Sequence, residues 1–138
     1  MPITVGWDSD EHTVVLYSFK GKWTWEEYHS AIAQAFDLVK DIPYVVNMIL
    51  DFSEGQMFPS NALSHFRSSM NTPPRDFDVA VVISKSGFVD TIVNVFRRMY
   101  GKAGDKFIVF KTLEQGRAYF VERQQQNSPS NNTEHPAG

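Results

Sequence analysis

The chain predicts a single α/β domain, and three observations carry that expectation. Two strand-like segments open it, and segments of helical periodicity then alternate with further strands. The interior strands are short continuous apolar runs, and Gly or Pro punctuates the joints between elements. A length of 138 residues is that of one ordinary domain, which buries roughly two thirds of the surface its unfolded form exposes.

Ile3 to Trp7 and Thr13 to Lys20 are rich in β-formers, and the polar stretch Asp8-Ser9-Asp10-Glu11-His12 between them reads as a turn, so the chain opens on an antiparallel hairpin. Gly21 ends the second strand. Thr24 with Glu27 three residues on forms a capping box, and Trp25, Tyr28, Ile32, Ala35, Phe36 and Val39 then mark one apolar helical face. Pro43 bars continuation of that helix.

The third strand is read from Tyr44 to Asp51, its Val45 to Leu50 run apolar except for Asn47, as a strand covered on both faces requires. Gly55 and Pro59 mark the loop that leaves it, and Ser60 is placed as N-cap of a second helix with Leu63, Phe66 and Met70 on one face. Pro73-Pro74 stops that helix, and Val79 to Ile83 is the fourth strand. Ser84-Lys85-Ser86-Gly87 leads into a third helix from Phe88 to about Tyr100, with Phe88, Ile92, Val95, Phe96 and Met99 apolar. Gly101 and Gly104 suit its C-terminal turn.

Phe107 to Phe110 is the last strand and Leu113 to about Gln124 the last helix, which packs through Leu113, Phe120 and Val121 and is weakened by Gly116. The order is thus ββαβαβαβα: a mixed five-stranded sheet, parallel except for the antiparallel edge from the N-terminal hairpin, with about four helices. Residues 1–124 form the expected domain; 125–138 are polar, lack large apolar side chains and form an expected disordered tail.

Composition excludes several classes of function. Apolar residues make up 42% of the chain and aromatics 14%, ample for a packed interior. A formal charge of −3 does not favour nucleic acid or anionic lipid, and no nucleic-acid partner is expected. The basic group Arg97, Arg98, Lys102 and Lys106 falls where it complements the dipole of the third helix. The absence of Cys removes disulfides and thiolate chemistry, and no cofactor motif is present. With neither an apolar spanning run nor an export-type N-terminus, the expected compartment is the cytosol.

The element order, the Asp51-Phe52-Ser53 ending of the third strand and the loop to a capped second helix resemble the STAS superfamily, whose founding members are anti-sigma factor antagonists. More narrowly, Lys22-Trp23-Thr24-Trp25-Glu26-Glu27-Tyr28 and Lys111-Thr112-Leu113-Glu114-Gln115 resemble bacterial proteins called SpoIIAA-like, over about Ile3 to Glu122. The resemblance implies a non-enzymatic regulatory module that docks a protein partner through the loop after the third strand and the second helix. It also implies a phosphoacceptor Ser near the start of that helix, the place held by Ser60 in Met57-Phe58-Pro59-Ser60-Asn61-Ala62-Leu63, where the family carries an Asp-Ser-Ser-Gly-like stretch.

Read from the residues themselves, Ser60 is first an N-cap, Asp51 first a cap for the amides of its loop, Ser53 a hydroxyl bonding loop backbone, and Lys85 and Ser86 first a helix entry and second an anion site. His12, His29 and His65 have no metal-ligand spacing and read as boundary residues, and a triad of Asp51, Ser60 and His65 has no nucleophile elbow around it. Trp25 belongs to the helix core face, and Trp23 staples the helix entry near Tyr28. Met57 and Phe58 form an apolar loop that either meets a partner or covers a pocket. The alternative function is accordingly a carrier with an apolar cavity beneath the second and third helices, holding a small apolar ligand or lipid. A second copy of the chain would add through the aromatic surface or the open sheet edge.

Overall fold

The structure, a computed structural model, describes residues 2–55, 58–71, 77–101 and 104–126. Met57, Pro73-Pro74, Lys102 and the tail beyond Gln126 lie outside the described residues. The elements are β1 (Ile3–Trp7), β2 (Val14–Gly21), α1 (Trp25–Val39), β3 (Asn47–Gly55), α2 (Ala62–Asn71), β4 (Ala80–Ile83), α3 (Gly87–Tyr100), β5 (Phe107–Phe110) and α4 (Leu113–Gln126), with one 3-10 turn at Gly104–Lys106. The sheet is five-stranded in the order β1-β2-β3-β4-β5, with β1 antiparallel to β2 and every other pair parallel. This is the α/β architecture and element order that the sequence predicts.

Strand order explains the layering. Each crossover advances one strand in the same direction, and crossovers of one hand then return every helix over the same face. Tyr28, Ala31 and Ala35 of α1, Phe66 of α2 and Val89 and Val93 of α3 therefore share one core with Val15, Tyr17 and Phe19 of β2, Leu50 and Phe52 of β3, and Val82 of β4. Only α4 covers the opposite face, where Leu113, Tyr119 and Phe120 meet Val14, Ile49, Val81 and Ile83. The order never reverses within the parallel strands, so no topological switch point is built.

The opening of α1 follows its local chemistry. The Thr24 hydroxyl accepts the Glu27 amide at 3.1 Å, and the Glu27 carboxylate accepts the Thr24 amide at 2.9 Å, completing the box. Trp23 is buried beside it, its ring 6.2 Å from that of Tyr28 and edge-on to Trp25. At the far end of α3, Arg97 donates through Nε to the Phe107 carbonyl at 3.1 Å, a tie from helix to β5 more specific than the expected solvated basic face.

Four expectations are corrected. The third strand begins at Asn47 and runs to Gly55, because the long β2 continues to pair with it past a register shift between Ser18 and Lys20; Tyr44 and Val45 are exposed and Asp51 lies inside the strand. The buried face of α3 is Val89, Ile92, Val93 and Phe96, while Phe88 and Met99 are exposed, since the sheet meets the helix about one residue out of the expected phase. On α1, Phe36 is 42% exposed at the rim of the core. On α4, Val121 is exposed and Tyr119 takes the packing position instead.

Candidate functional site

The aromatic wealth of the chain gathers on the three-helix side of the sheet. Phe58 lies with ring centroids 5.6 Å from Trp23, 4.8 Å from Phe52, 5.6 Å from Phe66 and 5.6 Å from Phe88. Trp25 continues the set edge-on to Tyr28 and Phe66 at 5.3 Å each. Edge-to-face rings of this kind pack favourably but are rigid, and they leave gaps that a flexible side chain would have filled.

One such gap is a cavity of about 150 Å³ between the sheet and α1, α2 and α3. Its floor comes from Tyr17, Leu50, Phe52 and Val82 of the sheet; its roof from Tyr28, Ala35, Phe66 and Val93 of the helices. Phe58 walls one part and Phe36, Val39 and Phe77 another, so the exposed Phe36 sits at the cavity's rim. Among the lining residues described, Tyr17, Tyr28 and Asn47 alone carry polar side-chain atoms, and none is charged. Asn47 is engaged structurally: its Oδ1 accepts the amides of Asp78 at 2.9 Å and Val79 at 3.0 Å. A space of this size and lining suits a small apolar molecule.

Tyr17 is the polar exception that matters. It is 4% exposed, whereas the buried side-chain polar atom without a partner among the described residues is Trp23 Nε1, outside the cavity lining. Burial first, and the neighbouring Tyr28 second, push the Tyr17 pKa above the ordinary phenol value.

The remaining residues singled out from sequence are placed as follows. Asp51 faces the α4 side of β3, where its Oδ1 accepts the Ser53 amide at 2.9 Å and the Ser53 hydroxyl at 2.6 Å. It does not close the strand's carboxyl edge, as expected, because β3 extends beyond it. Asp51 and His65 lie on opposite sides of the sheet, so the triad with Ser60 does not assemble. Ser60 is exposed and is not the N-cap: the carbonyl of Asn61, at φ +69°, accepts the first helical amide, from His65, while the Ser60 carbonyl accepts Trp25 Nε1.

Ser86 does cap α3, its hydroxyl accepting the Phe88 amide at 3.1 Å, and Ser84 supports it by accepting the Ser86 amide at 3.0 Å. Lys85 is exposed beside them. Gly55, Phe58, Ser84, Ser86 and Phe88 line a second cleft of about 190 Å³ at the carboxyl ends of β3 and β4. Both serine hydroxyls there already serve the helix entry.

A feature that spacing did not disclose is the pair formed by His29 of α1 and His65 of α2, Nε2 to Nδ1 2.9 Å, with Trp25 stacked on His65 at 4.5 Å and 8°. The only signal was phase: each His adjoins a core aromatic, Tyr28 or Phe66, on helices that sequence separation does not show to be neighbours. No group of three or more His, Asp or Glu suited to a metal occurs among the described residues, and no described helix is long and apolar enough to cross a membrane.

Fold and site together define an α/β domain with an apolar cavity under three helices. No protein-family model, curated protein or solved structure matches the chain.

Proposed function

We propose that this protein is a non-enzymatic binding module for a small apolar ligand, held between the sheet and α1, α2 and α3. The observation that carries the reading is the cavity of about 150 Å³, walled by apolar and aromatic side chains and free of charge. Phe58 supports it, since this loop residue is turned inward to form part of the wall. Thermal unfolding in the presence of ethylbenzene tests the reading, because a ligand bound only to the folded state raises its stability with concentration. A rise in Tm for the natural chain, abolished in an Ala35→Leu variant whose longer side chain fills the space, is the expected result; no rise in the natural chain sinks the proposal.

Docking of a protein partner, with Ser60 as phosphoacceptor, is the second reading, suggested by the STAS resemblance. Its specific support is that Ser60 is exposed while Phe58, from the same loop, walls the cavity, so an occupant and the loop are mechanically joined. Intact mass and peptide mapping of protein from its native host decide it: phosphate on Ser60 favours the switch, and an unmodified Ser60 removes it.

A further inference from the structure

We propose that His29 of α1 and His65 of α2 form an exchangeable site for a borderline divalent transition cation, with the geometry of Zn²⁺, which ties the two helices together. The site is separate from the cavity and does not depend on the cavity's having an occupant.

Placement carries the first step. Both imidazoles are half-buried, and His29 Nε2 and His65 Nδ1 face each other across the helices at 2.9 Å. Imidazole nitrogen is a borderline ligand that suits zinc, copper and nickel, whereas calcium and magnesium demand oxygen. The shared hydrogen bond already requires one ring to offer a lone pair. On binding, the donor ring exchanges its proton to its other nitrogen through water, and both rings stay neutral.

Distance selects the ion. Zn–N bonds of about 2.0–2.1 Å at a tetrahedral angle place two ligating nitrogens about 3.3 Å apart and their ring centroids about 5.2 Å apart. The centroids of His29 and His65 are 5.1 Å apart, so the rings already stand where a tetrahedral ion needs them. Their nitrogens, now at 2.9 Å, have only to part by about 0.4 Å as the rings turn in place. A right-angled pair, as on tetragonal Cu²⁺, would bring the centroids to about 4.6 Å and oblige the helices to close up.

Trp25 holds one half of the site ready. Its Nε1 donates to the Ser60 carbonyl, and its ring stacks on His65 at 4.5 Å and 8°, which restrains His65 and leaves His29 to make most of the adjustment. No third His, Asp or Glu completes the set among the described residues. Water therefore takes the remaining positions, and the cation exchanges, unlike a structural zinc enclosed by four protein ligands.

Isothermal titration of ZnCl₂ into the full chain and into His29→Gln, His65→Gln and His12→Gln tests the site. Losing an outer-shell partner alone costs about 10- to 100-fold in metal affinity, so losing a ligand should cost roughly 10-fold or more. The expected result is one Zn²⁺ per chain, with a loss of that size in His29→Gln and in His65→Gln and none in His12→Gln. Ring ¹⁵N spectra of the natural chain need no variant to fold: His29 Nε2 and His65 Nδ1 should shift together as Zn²⁺ is added and stay in place with Mg²⁺. Zinc affinity that survives either substitution, a shift confined to one ring, an equal response to Mg²⁺, or no zinc binding at all overturns the inference. None of these outcomes bears on the cavity, which the ethylbenzene measurement tests by itself.

Discussion

His29 and His65, thirty-six positions apart, share a hydrogen bond of 2.9 Å that joins α1 to α2 over the same aromatic cluster that walls the cavity. Such a bond requires one ring to accept, so at least one imidazole must be neutral. Partial burial, and then the charge of His65, lower the pKa of His29 below its ordinary value.

The sign of the pH effect follows. With the folded pKa of His29 below the unfolded value of about 6.5, the unfolded chain binds more protons as pH falls through that value, so stability is lost there. His29 is only partly buried, and screening by solvent caps the effect at about 1 kcal/mol. Urea denaturation should show a drop in stability from pH 7.5 to pH 5.5 that His29→Gln reduces. An identical pH slope in the variant would refute the coupling.

Gly116 makes a second prediction, one in which propensity and packing point in opposite directions. A Cβ there would stand 2.9 Å from Ile83 Cδ1 and 2.9 Å from Val81 Cγ1, both in fully buried side chains. Helix propensity alone favours Gly116→Ala by about 1 kcal/mol, whereas overpacking a rigid core costs about 1–3 kcal/mol. We expect net destabilisation by chemical denaturation; a stabilised variant would show that α4 can lift from β4 at little cost.

Arg117 supplies the third. From α4 it reaches the β1–β2 turn, donating to Asp8 Oδ1 through Nη2 at 2.7 Å and through Nε at 3.1 Å, and the Asp8 side chain is only 12% exposed. Hydrogen bonding to Asp8 raises the Arg117 pKa, with desolvation opposing and Asp51 adding a smaller favourable charge effect. Because half of the Arg117 side chain remains in solvent, a double-mutant cycle with Asp8→Ala and Arg117→Ala should give a coupling of about 0.5–1 kcal/mol. A coupling of zero would mean that the apolar contacts of Leu113, Tyr119 and Phe120 orient α4 unaided.

Much of the fold was legible before any coordinates because it is encoded over short range. The capping box at Thr24 and Glu27, the Ser86 cap, the apolar runs of β4 and β5 and the hairpin turn at Asp8–His12 are local patterns whose chemistry is complete within a few residues. Boundaries were less so: β3 extends to Gly55 because β2 offers partners that far, and α3 turns Val89 and Val93 inward because the sheet, not the helix, sets the phase.

The sequence by itself therefore determined the order and type of the elements and the apolar character of the loop at Phe58. Tertiary structure alone decided that Phe58 faces inward, that Tyr17 lines an apolar wall, that His29 meets His65, and that Asp51 lies across the sheet from both. The physical reason is range. Caps and periodicity act along the chain, whereas a cavity is the volume left when rigid rings from separate elements fail to interdigitate, and that volume is a property of no single segment.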